Sequence, residues 1–93
     1  MMKPIRWNSE KNEWLIRNRG VCFEQVLLAY ARDEVLDTLE HPNQQKYPGQ
    51  QIAIVKIVNY AYLVPFVENE EEIFLKTIIP SRKATERYVE GNQ

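Results

Sequence analysis

The sequence predicts a single α+β domain: an antiparallel β-meander of about four strands packed against two N-terminal helices, with a short C-terminal helix. Three observations predict it. Residues 9–31 carry apolar side chains at helical spacing between recognisable caps. Residues 35–79 are rich in β-branched and aromatic residues, in runs of strand length separated by turn-forming segments. The chain has 93 residues, 44% hydrophobic and 27% charged, which suits one modest core spanning 1–93.

In chain order, Ile5-Arg6-Trp7 alternates as a short strand does. Asn8 or Ser9 can cap the helix that follows, Ser9–Arg19. Gly20 ends it, with Arg17 and Arg19 in the last turn, where cations favour the helix dipole. Phe23, Val26, Leu27 and Tyr30 then mark one face of a second helix. Cys22 stands at its N-cap, with Gln25 three residues on, an imperfect capping box.

Val35–Glu40 reads as a strand and His41–Gln50, with two prolines and Gly49, as a loop. Ile52–Val58 is nearly continuous in apolar residues, as in a strand buried on both faces. Asn59-Tyr60 makes a tight turn into Tyr62–Val67, where Pro65 points to an edge or a bulge. Glu68–Glu72 is an acidic turn and Ile73–Ile79 the last strand. Pro80 ends that strand, and Ser81 caps a final helix from Arg82 to about Val89. Short turns between strands imply an antiparallel order, and the paired helices must cover one face of the sheet.

Twelve Lys+Arg stand against thirteen Asp+Glu, a net charge of −1, which argues against nonspecific coating of nucleic acid. One cysteine, Cys22, rules out an intramolecular disulfide and a cysteine-based zinc cluster. With a single histidine and no P-loop, dinucleotide or zinc-protease motif, neither a metal nor a cofactor is expected. The N-terminus has no apolar signal segment and no run has membrane-span length, so the cytoplasm is the default location, with no membrane partner.

The charge is segregated. Acid gathers in Glu68, Glu70, Glu71 and Glu72, whereas Lys76, Arg82, Lys83 and Arg87 are opposed by Glu86 alone. Pro80-Ser81-Arg82-Lys83 puts two cations on the first turn of a helix, beside free N–H groups, a setting that attracts phosphate. Lys76, on the preceding strand, can point to the same side. On spacing alone a solvated basic helix is the commoner outcome. His41, in Glu40-His41-Pro42, suits acid–base chemistry near neutral pH. Tyr47, Tyr60 and Tyr62 are candidates to stack on bases, or simply to fill the core.

Taken in order, Trp7-Asn8-x-x-Lys11, then Arg19-Gly20-Val21-x-Phe23-Glu24, then the apolar strands, and finally Ile79-Pro80-Ser81-Arg82-Lys83-Ala84-Thr85 with Tyr88, resemble the BrnT family of toxins from type II toxin–antitoxin systems. The likeness runs from Ile5 to Tyr88. It implies a RelE-like fold and a metal-independent endoribonuclease that cleaves mRNA. It also implies a cognate DNA-binding antitoxin as neutralising partner, so that operator DNA is met only through that antitoxin.

In such chemistry the RNA 2′-hydroxyl is the nucleophile. The protein moves protons and stabilises charge on phosphorus. The resemblance assigns Arg82 and Lys83 to the phosphate, with Lys83 also available for proton transfer and Lys76 as a further cation. Lys11, Arg19 and Tyr88 fall within its motifs as RNA contacts. Glu40 or His41 as base rests on chemistry alone. Many family members resemble Lys-His-Gly-Val where this chain has Asn18-Arg19-Gly20-Val21, and arginine stays protonated. The competing expectation is a noncatalytic protein-interaction domain that keeps the toxin fold. A third is an RNA-binding sheet platform using Tyr60 and Tyr62.

Overall fold

The computed structural model describes residues 3–91, so the first and last two residues of the expected domain lie outside it. The chain runs β1 (Ile5–Arg6), α1 (Ser9–Arg19), α2 (Phe23–Ala31), β2 (Val35–Glu40), β3 (Gln50–Ile57), β4 (Tyr60–Glu68), β5 (Ile73–Leu75), β6 (Ile79–Pro80) and α3 (Arg82–Ala84). A π-helical segment, Thr85–Glu90, continues α3. The fold is mixed α+β with a mostly antiparallel six-stranded sheet. The strand order is β1-β5-β4-β3-β2, with β6 also paired to β4. The antiparallel core β2–β5 is the expected meander. β1 adds a parallel edge against β5, with Ile5 opposite Ile73.

The two N-terminal helices form where the caps place them. Asn8 accepts the Lys11 N–H on its side-chain oxygen at 2.9 Å, and Gly20 closes α1 at φ 67°, a left-handed conformation that glycine adopts without strain. Gln25 reaches back to accept the Cys22 N–H at 2.9 Å. Asn12 ties the pair together: its buried oxygen accepts the Phe23 N–H at 2.7 Å, and its amide donates to Glu24 at 2.8 Å. That bond holds the Glu24 carboxyl below its ordinary pKa.

The two helices cover one face of the sheet. Leu15, Phe23 and Val26 meet Ala53, Val55 and Val64 there, with Trp7 stacked on Phe23 at 5.5 Å. On the opposite face a smaller cluster, Ile54, Ala61 and Ala84, is joined by Leu36, Leu63, Tyr88 and Val89. Thus α3 and its extension sit on the far side from α1 and α2. Thr85 fixes them there: its buried hydroxyl oxygen accepts the Ala61 N–H and the hydroxyl donates to the Ser81 carbonyl, both at 2.8 Å.

Three local expectations are corrected. The hairpin turn is Val58-Asn59, one residue earlier than expected, because Ile57 pairs with Tyr60. Both turn residues have positive φ, 48° and 65°, as a two-residue type I′ hairpin requires. Valine is poorly suited to that conformation. Because Val58 is 85% exposed, Val58→Asn should relieve strain without loss of packing. It is expected to stabilise the fold by ~1 kcal/mol, read as a rise in Tm of roughly 4–8 °C.

The expected strand Ile73–Ile79 is in fact two, β5 and β6, interrupted at 76–78. Pro65 explains the gap. It lies inside β4, opposite Ile52, and its carbonyl accepts the Lys76 N–H at 2.8 Å. Its missing N–H therefore falls on the same side, and the ladder cannot continue there. Lastly, the C-terminal helix does not stay α-helical to Val89. It widens to i→i+5 bonding, as from the Gly91 N–H to the Glu86 carbonyl at 2.8 Å.

Candidate functional site

Alternation along the strands decides which side chains share a face. Ala53 and Val55 of β3 point to the helices, so Gln50 and Ile54 point to the other side. In β2 a bulge between Val35 and Asp37 changes the count. Val35 faces the helical core, yet Asp37 pairs with Ile54 and Leu39 with Ile52, on the opposite face. A bulge re-aims the residues after it. Here it sends Asp37, Leu39 and His41 to the open face and Glu40, opposite Gln51, to the helical side.

Two recesses open on this face. The first, about 190 Å³, lies where α3 meets β2 and β3 and is lined by Leu39, Ile54, Ser81, Lys83, Arg87 and Tyr88, among others. The wide π-helical turn brings Tyr88, five residues after Lys83, to the same side as Arg87. Ser81 caps the helix by accepting the Ala84 N–H at 3.1 Å. Tyr88 donates its hydroxyl to Asp37 at 2.8 Å, and Asp37 also accepts the Thr38 N–H at 2.8 Å. The second recess, about 380 Å³, lies between the 41–49 loop and the break at 76–78, lined by His41, Tyr47, Gln50, Lys76 and Thr77 over Pro65 and Ile79. Gln50 and Ile54 are four residues apart on β3, so the two floors are separated by roughly 13 Å.

The sequence-predicted residues divide accordingly. Lys83 and Tyr88 line the first recess, and Lys76 and His41 the second. Arg82 is exposed and faces its own helix, 3.4 Å from Glu86 and 3.9 Å from Glu90. Such solvated pairs are weak, so a phosphate can compete for it. Lys11 and Arg19 belong to the helical layer, where both lie over Trp14, at 4.1 and 4.9 Å from the ring. Arg19 also donates to the Ile78 carbonyl at 2.6 Å. Neither joins the recesses. Tyr60 and Tyr62 stack edge-on at 5.6 Å. Both are half-buried on the helical face, since Tyr62 packs on the main core, so they form no exposed platform.

His41 is held more tightly than a loop histidine need be. Its Nδ1 accepts the Asn43 N–H at 3.0 Å, and its ring leans on Tyr47 at 4.4 Å. With Nδ1 accepting, the neutral ring carries its proton on Nε2. It thus offers the recess a donor in place of the base expected of it. Glu40, on the far face, is not positioned to share that task.

Arg87, which the sequence shows only as one member of the basic run, and Asp37 are not among the residues expected at the site. The spacing of Arg87 from Lys83, four residues, was a usable signal. Asp37 had none, because only the bulge aims it.

The hydrogen bond to Asp37, then burial and the neighbouring carboxylate charge, raise the Tyr88 pKa above its ordinary 10.0. Burial does the same for Tyr30, with the Glu68 charge. A raised pKa favours the protonated phenol in the folded state. That contribution to stability is complete below pH 10.0 and is lost as pH rises through the higher folded value. In an alkaline absorbance titration Tyr30 and Tyr88 should ionise late, and Asp37→Asn should bring Tyr88 back toward the ordinary range.

Among the described residues, no group of three or more His, Cys, Asp and Glu side chains could hold a metal ion, and no helix is long and apolar enough to cross a membrane. No family model, curated protein or solved structure matches the chain.

Proposed function

We propose that the chain is a metal-independent endoribonuclease of the BrnT toxin type, with a RelE-like fold, acting on mRNA and neutralised by a cognate antitoxin. The observation that carries this reading is the first recess. Lys83 and Arg87 stand there beside Tyr88, on a sheet face that α1 and α2 leave open. Two adjacent cations suit a phosphate, and they best stabilise the dianionic charge that builds on phosphorus as the 2′-oxygen attacks. Tyr88 and Asp37 supply a hydrogen-bonded pair next to that phosphate. A proton leaving the 2′-hydroxyl for the Tyr88 oxygen is matched by the phenol proton passing to Asp37, so the high phenol pKa is no obstacle to a concerted transfer, and the Lys83 ammonium gives a proton to the 5′-oxygen as its bond to phosphorus breaks.

Leu39, 45% exposed, adds an apolar edge beside the cations, and Ile79, 37% exposed, adds another at the second recess. This mixed surface suits a protein antitoxin that shields the site. Expression of the chain alone should arrest growth. The purified chain should cleave single-stranded RNA with EDTA present, and co-purification with the product of an adjacent small reading frame should abolish both effects. A folded chain that captures that partner yet leaves RNA intact and cells growing would instead establish the noncatalytic interaction domain.

A further inference from the structure

We propose that the second recess is a base-recognition pocket that takes an adenine ring of a nucleotide neighbouring the cleaved phosphate. Its volume of about 380 Å³ falls in the range of small-ligand sites, ~300–1,000 Å³. It also gathers the groups such a ligand needs. Gln50 is a polar side chain only 9% exposed, in a recess with an apolar floor of Pro65 and Ile79. A glutamine carboxamide is the bidentate partner of adenine, donating to a ring nitrogen and accepting from the exocyclic amine.

Thr77 carries a second sign. Its hydroxyl oxygen is shut off from solvent and has no hydrogen-bond partner among the described residues. A buried polar atom of this kind calls for an explanation. Thr77 lines the recess, and a change of χ1 rotamer, which moves the hydroxyl to another staggered position, is the proposed way for this oxygen to find a partner on the ligand. Tyr47, leaning on His41 and 38% exposed, offers a ring for the base to stack on. Lys76, exposed at the rim with its ammonium 5.5 Å from the Phe74 ring, can turn to the attached phosphate.

The choice of a nucleotide rests on the RNA-cleaving reading, but the binding does not require cleavage. The experiment is a ¹⁵N NMR titration of the full chain with AMP, GMP, CMP, UMP and inorganic phosphate. AMP should shift amides in the 41–50 and 76–79 segments and bind at least about fivefold more tightly than UMP, the discrimination expected of one bidentate pair. Gln50→Leu should erase that preference. Tyr47→Ala, an exposed substitution, should weaken AMP binding whether or not Gln50→Leu folds. Equal affinity for all four nucleotides, shifts confined to residues 83–88, or no shifts at millimolar AMP would overturn the pocket. RNA cleavage without AMP binding would remove the pocket and leave the ribonuclease reading standing. AMP binding without cleavage would do the reverse.

Discussion

Lys83→Ala and Arg87→Ala are each expected to slow RNA cleavage by ~10²–10³-fold, the usual loss when one group that stabilises developing charge is removed. Both residues are exposed on the α3 side of the first recess, so the fold should tolerate the changes within about 0.5 kcal/mol. The loss should be less than additive in the double variant, because both side chains act on one phosphate. Arg82→Ala should lose less than either. Its guanidinium already faces Glu86 and Glu90, and its removal leaves those carboxylates in water. The ordering is the informative part. An Arg82 effect larger than that of Arg87 would mean that the ion pairs break and that the helix presents a different face to RNA. The comparison needs initial rates on one RNA at fixed salt, since phosphate contacts weaken steeply with ionic strength.

The largest effect on stability should come from Phe23→Ala. Phe23 is fully buried, opens α2, stacks on Trp7 and packs in the main core. Truncating such a side chain costs ~3–5 kcal/mol. A domain of this size has only about 5–14 kcal/mol in total. The variant should melt at least ~12 °C lower, and its midpoint in urea should fall in proportion. A loss below ~1 kcal/mol by either measure would show that the helical layer is not the main source of stability. Activity per folded molecule should be unaffected, because Phe23 lies on the opposite side of the sheet from both recesses.

The helical layer was legible because its determinants are local. Asn8, Gly20 and the Cys22–Gln25 pair act within one turn of their own helices, and the 3.6-residue spacing of Phe23, Val26 and Tyr30 needs no partner to be read. The meander was legible for a similar reason, as β-branched runs separated by turn residues. What escaped depended on through-space partners. The parallel pairing of β1 with β5 joins residues 68 positions apart, Ile5 and Ile73, and no pattern within either segment announces it. The gap after Leu75 follows from Pro65 in a neighbouring strand. The hairpin turn moved by one residue because register, not turn propensity, places Val58 and Asn59 at the tip.

The candidate site shows the same division. Pro80-Ser81-Arg82-Lys83 was readable as a capped basic helix, and Ser81 does cap it. Which cation faces the recess was not readable, since that depends on how Thr85 docks the helix on β4 and on the wide turn that follows. Glu40 and His41 are neighbours in sequence but lie on opposite faces. Simple alternation from Val35 would put Glu40 on the open side and Asp37 among the helices, and the bulge between Val35 and Asp37 reverses both.

The open face of this sheet is proposed to cut RNA with its own side chains. The most direct measurement is incubation of the purified, antitoxin-free chain with a defined single-stranded RNA in EDTA, followed by analysis of the product ends. Attack by the 2′-hydroxyl predicts fragments ending in a 2′,3′-cyclic phosphate with a free 5′-hydroxyl on the downstream piece, and their near absence with the Lys83→Ala/Arg87→Ala variant. Intact RNA after incubation with the folded wild-type chain, or equal cleavage by the folded double variant, would contradict it.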